Sequence, residues 1–220
     1  FFFAMSNRSK TSSNSWAPYV AATVGLAATA MGMWNFFGKK NEGGSEHNGP
    51  VEPHKDMPRS LKAPPKELAE KLQIAIVRTA WNESMVLSMQ AGAEEAMIKS
   101  GLPKENIHVE VVPGAYEIPI CAKYLAQSGK YNVVLTLGVL INGETAHFEY
   151  ISSAVSQALM HVQIQTNVPV LYGVLNCFTE GQAIARTRAG SDLPGSLGVS
   201  ALHMAEVQYR LAEESKEQSA

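Results

Sequence analysis

Four short apolar runs, separated by helix-length stretches, constrain this chain more than any other feature. They lie at residues 72–77 (LQIAIV), 107–112 (IHVEVV), 133–140 (VVLTLGVL) and 168–174 (VPVLYGV). Runs of this length, rich in β-branched residues, suit strands. Between them, apolar residues recur at helical spacing. The stretch 83–99 carries Val86, Met89, Ala93, Ala96 and Met97; Gly101 closes it and Pro103 prevents its continuation. Further helices are predicted over 118–128, 148–166, 180–189 and 196–214, with a short lead-in over 66–71. Strands joined through helices run parallel, and a parallel sheet needs cover on both faces. Residues 69–220 therefore predict an α/β domain with ligand sites at the carboxyl ends of its strands.

Composition narrows the function classes. Hydrophobic residues make up 45% and charged residues 17%, enough to bury a core. The net charge of −2 argues against a nucleic-acid binder that relies on phosphate neutralisation. Two cysteines, Cys121 and Cys177, exclude a disulfide scaffold and a four-cysteine zinc site. There is no GxGxxG or GxxxxGK[ST] loop, so nucleotide chemistry of those types has no support.

The first third reads differently. After a tail over 1–15, residues 16–37 (WAPYVAATVGLAATAMGMWNFF) carry no charge. As a helix they would rise about 33 Å, enough to cross a hydrocarbon core of about 30 Å. Trp16 and Tyr19 at one end, and Trp34, Phe36 and Phe37 at the other, resemble interfacial belts. A single transmembrane helix is the leading expectation; a targeting remnant and a soluble packing helix are the alternatives. Residues 38–68, rich in Gly, Pro and polar side chains, read as a linker.

Each strand is followed by polar or aromatic groups. WNE follows the first, VPGAYEIP the second, and LGVLINGETAHFEY spans the third and its exit; NVPVLYGVL contains the fourth, and QAIAR lies beyond it. Across residues 72–207 these motifs, in this order, resemble the 6,7-dimethyl-8-ribityllumazine synthases, penultimate enzymes of riboflavin synthesis. The resemblance implies a flavodoxin-like three-layer sandwich around a four-stranded parallel sheet. It also implies homopentamers, sometimes twelve to a capsid, with active sites between adjacent subunits. The implied reaction condenses 5-amino-6-(D-ribitylamino)uracil with 3,4-dihydroxy-2-butanone 4-phosphate, releasing phosphate and water without metal or redox cofactor.

The same resemblance distributes roles. Trp81 becomes the stacking aromatic for the pyrimidine, where a planar ring contributes dispersion and burial. Glu117 holds ribityl hydroxyls by charge-assisted hydrogen bonds. Asn82, Gly114, Ala115, Tyr116 and Leu140 complete the substrate-binding set. Gly143, Glu144 and Thr145 precede a helix whose N-terminus can hold a phosphate. His147 becomes the proton-transfer residue, because imidazole titrates at about 6.5 and can both take and give a proton. Arg186 becomes the phosphate arginine, with Arg188 as its rival. Tyr172 stands where the family often has Phe, contributed by the neighbouring subunit.

Three departures keep two functions open. Asn142 stands where the family often has a basic residue. Leu193 or Pro194 stands where a Lys or His usually lies near the pocket. The predicted membrane helix is the third, since a membrane anchor suits a closed capsid poorly. One reading is an active synthase tethered to an organelle membrane, either plastid (thylakoid) or mitochondrial inner membrane. The other is the same fold recruited as a subunit of a membrane complex, with reduced or no catalysis.

Overall fold

The apolar runs become strands and the amphipathic stretches become helices. The structure, a computed structural model, describes residues 61–217. The tail, the predicted membrane helix and all but the end of the linker lie outside the described residues. Among the described residues no helix is long and apolar enough to cross a membrane.

In chain order the elements are α1 (Lys66–Ala69), β1 (Ile74–Thr79), α2 (Glu83–Lys99), β2 (Ile107–Val112), α3 (Ile118–Gln127), β3 (Val133–Ile141), α4 (His147–Thr166), β4 (Val170–Cys177), α5 (Glu180–Thr187) and α6 (Asp192–Glu217). The four strands form one sheet in the order β2-β1-β3-β4, and every pairing is parallel. This is the start of the flavodoxin-like order 2-1-3-4-5.

Alternate side chains feed two cores. Ile74, Ile76, Leu135 and Leu137 pack on one face with Val86, Met89 and Met97 of α2 and with Ala201 and Leu202 of α6. Ala75, Val77 and Val134 pack on the other face with Ile118 and Ala122 of α3 and with Val155 and Leu159 of α4. The inner strands β1 and β3 are buried on both faces, so their sequences read as unbroken apolar runs. The edge strand β2 has no fully buried residue and reads as an alternation.

Some predicted boundaries move, each for a local reason. Instead of starting at residue 72, β1 begins at Ile74, because the Gln73 backbone N–H donates to Asn132 Oδ1 (2.9 Å). Pro169 contributes only its carbonyl, to the Val134 N–H (2.9 Å), so β4 begins at Val170 rather than 168. That strand then continues to Cys177. The largest correction is α6, which starts at Asp192 instead of 196. Pro194 falls in its first turn, where a missing N–H costs no hydrogen bond. The proline is buried against α2: a Cβ added to Gly92 would approach the Pro194 Cβ to 2.6 Å.

Candidate active site

With the order β2-β1-β3-β4, the chain turns from β1 towards one sheet edge and from β3 towards the other. A crevice forms at such a reversal, outside the carboxyl ends of the strands. The turns that leave β1, β2 and β3 carry most of the residues singled out in the sequence.

The β1–α2 turn is held from three sides. Its Ala80 N–H donates to the Val112 carbonyl (2.8 Å) and its Trp81 N–H to the Pro113 carbonyl (3.3 Å), tying it to the end of β2. Asn82 adopts the left-handed region at φ 55°, which Asn tolerates better than most residues, and its Nδ2 donates to the Val139 carbonyl of β3 (2.8 Å). The Thr79 hydroxyl donates to the Trp81 carbonyl (3.0 Å). With its backbone held in this way, the Trp81 ring is 73% exposed. A stacking surface requires that exposure.

After β2, residues Ala115–Glu117 form a 3₁₀ turn that leads into α3. Glu117 is half-buried, and its Oε2 accepts the Gly114 N–H (3.0 Å). A Cβ on Gly114 would lie 3.2 Å from that oxygen and 3.6 Å from Trp81 Cδ1. Indole, glycine backbone and carboxylate therefore adjoin one another at the carboxyl ends of β1 and β2, although Trp81 and Glu117 are far apart in sequence. Tyr116 is exposed beside them, whereas the Ala115 side chain is buried and can offer only its backbone.

After β3, residues 142–147 are all exposed, and α4 starts at His147, one residue earlier than predicted. The Thr145 hydroxyl accepts the His147 backbone N–H (3.4 Å). Gly143, Glu144 and Thr145 thus precede a helix start whose first N–H groups have no partner within the helix, the local geometry that favours an anion. Leu140 is half-buried at the end of β3. The Asn142 N–H donates to the Cys177 carbonyl (2.9 Å), which joins this loop to the end of β4.

Two candidates lie on or beyond β4. Tyr172 pairs with Thr136, which is level with Val77 on β1. That places it four residues short of Trp81 along the strand direction, about 13 Å at a strand's rise, and on the far edge strand. Its phenol oxygen accepts from Asn176 Nδ2 (2.9 Å). Arg186 is exposed on α5, where Nη1 donates to the Gln182 carbonyl (3.1 Å). Burial pushes the Cys177 thiol pKa up, and the Arg186 guanidinium partly counters it, so Arg186 lies by the end of β4. Arg188 caps the same helix at its C-terminus and is also exposed.

Motif reading missed three residues. Thr79 and Asn176 lie inside apolar strands and show only through their hydrogen bonds. Phe178 is 69% exposed and packs its ring on Phe148 at 6.1 Å and 48°; an apolar residue just past a strand end was the available signal. The departure at residues 193–194 also has a structural form. Leu193 and Pro194 carry no charge, and the structure commits Pro194 to helix packing and leaves Leu193 half-buried.

These features define an α/β sandwich whose strand ends present an exposed indole, a hydrogen-bonded carboxylate and an exposed helix start bearing a histidine. The model of the 6,7-dimethyl-8-ribityllumazine synthase family matches residues 71–209, well over half of the sequence, and the chain belongs to that family. The family's activity lies in riboflavin biosynthesis and is exerted on small-molecule substrates.

Proposed function

We propose that this chain is a lumazine synthase, a transferase that joins 5-amino-6-(D-ribitylamino)uracil to 3,4-dihydroxy-2-butanone 4-phosphate and releases phosphate and water. The observation that carries this reading is that Trp81 and Glu117 meet at Gly114. An exposed indole suits the flat pyrimidine, and a carboxylate with one oxygen already oriented suits a polyol chain. His147 at the start of α4 moves protons between the amine, the carbonyl and the leaving groups. The α4 N-terminus holds the phosphate, with Arg186 adding a bidentate cation. The separation of Tyr172 from Trp81 fits a site completed by a neighbouring subunit in a homopentamer. In this reading residues 16–37 tether the enzyme to an organelle membrane.

One observation favours the alternative, a recruited subunit with reduced catalysis. The segment where the resemblance calls for a Lys or His is folded into the α2–α6 contact through Pro194. Losing one charge-assisted contact weakens phosphate binding by about 1.5–3 kcal/mol.

The test is direct. The full chain is supplied with both substrates, and lumazine formation and phosphate release are followed together. Stoichiometric release above the uncatalysed rate is expected. His147→Ala should lower turnover by roughly 10²–10⁴-fold with an unchanged melting temperature. A folded pentamer that releases no phosphate, or a His147→Ala variant at the wild-type rate, would remove the enzymatic reading or this role of His147, respectively.

A further inference from the structure

We propose that Thr79 is a positioning residue, which sets the pose of the Trp81 ring and through it the affinity for a planar heterocycle. The second half of this statement rests on Trp81 being the stacking surface.

Thr79 is the last residue of β1 and is 1% exposed. The other buried threonines among the described residues serve the scaffold: Thr136 donates to the Leu171 carbonyl within the sheet, and Thr187 to the Ala183 carbonyl within its helix. Thr79 instead sends its hydroxyl forward into the turn, to the Trp81 carbonyl (3.0 Å). Its methyl faces Gly138 on β3, where an added Cβ would come within 3.3 Å of Thr79 Cγ2. Thr79 is 1% exposed, and its hydroxyl is directed into the turn by the bond to the Trp81 carbonyl.

Trp81 needs such an anchor. With 73% of the residue exposed, little packing holds the indole, so the backbone that carries it is the part the fold can restrain. Of the two hydrogen bonds to the Trp81 backbone, the one from its N–H to the Pro113 carbonyl is the longer, at 3.3 Å against 3.0 Å. The Thr79 hydroxyl therefore restrains the carbonyl side of the residue that carries the ring, from a rigid inner strand.

The experiment uses the full chain with Trp16 and Trp34 changed to Phe, which leaves Trp81 as the only tryptophan. Thr79→Val keeps the shape and removes the donor; Thr79→Ser keeps the donor. Time-resolved anisotropy of Trp81 without ligand reads the pose. Quenching by added 6,7-dimethyl-8-ribityllumazine reads affinity. Thr79→Val should enlarge the fast component of the anisotropy decay and weaken binding by roughly three- to tenfold, the range for one hydrogen bond, while Thr79→Ser stays near wild type. If Thr79→Val does not fold, the comparison of Thr79→Ala with Thr79→Ser takes its place. Wild-type anisotropy in the donor-less variant, or a Ser variant as loose as it, overturns the proposal. Trp81→Ala with unchanged affinity, measured by equilibrium dialysis because that variant lacks tryptophan, would remove only the stacking reading, since the anisotropy still judges Thr79.

Discussion

Replacing Gly114 by alanine tests the meeting of Trp81 and Glu117 most sharply, because the scaffold should tolerate the change and the site should not. Gly114 sits at φ −144° and ψ −178°, extended backbone that any residue adopts. The fold should therefore lose no more than about 0.5 kcal/mol, as for most changes that bury nothing new. The new methyl would stand 3.6 Å from Trp81 Cδ1, an ordinary contact, but 3.2 Å from Glu117 Oε2, which is too close. The carboxylate must withdraw by a few tenths of an ångström from its 3.0 Å bond with the Gly114 N–H. The methyl also occupies the space between ring and carboxylate that a bound ribityl-pyrimidine would cross. If Glu117 loses one charge-assisted bond to the ligand, the cost is about 1.5–3 kcal/mol, or roughly ten- to hundredfold in kcat/KM. The loss should fall mainly on KM, because the interaction is formed with bound substrate before chemistry. Steady-state kinetics beside a thermal melt reads both effects. A wild-type KM at an unchanged melting temperature would show that substrate does not sit here. A large drop in melting temperature would show that Gly114 serves folding.

Two further predictions follow from the surroundings. Arg186→Gln should raise KM for the phosphate-bearing substrate about tenfold or more, the range for one charge-assisted contact, whereas Arg188→Gln should change it little; the reverse ranking would give the phosphate role to Arg188. Burial raises the thiol pKa of Cys177 and Cys121 in the folded state, which favours the protonated form there. That contribution is fully present below the ordinary thiol range and is lost as pH rises through the folded-state values, so denaturation midpoints should fall above about pH 9. A Cys121→Ala/Cys177→Ala protein should show a shallower fall, and an identical pH profile would refute the assignment to the thiols.

Much of the scaffold could be read directly from residue order. The inner strands β1 and β3 announce themselves as unbroken apolar runs because both of their faces are buried. Gly101 and Gly129 mark the ends of α2 and α3 through their positive φ angles, 97° and 69°. The start of α6 was not legible in this way. Leu-Pro-Gly-Ser resembles a loop, and only the packing of Pro194 against Gly92 turns it into a first helical turn. Thr79 was hidden for a related reason: a threonine in an apolar run looks like one more strand residue until its hydroxyl is seen to reach the Trp81 carbonyl.

Short-range periodicity and contiguous motifs are enough to reveal the α/β class, the parallel sheet and the identity of the residues offered at the strand ends. Which of them meet depends on how the chain packs. Trp81 and Glu117 meet at Gly114 because β1 and β2 are neighbours in register, and Tyr172 stands apart from Trp81 because β4 is the opposite edge strand, entered several residues earlier. Strand order and register are set by which faces can be buried together, a property of the whole core that no local stretch encodes.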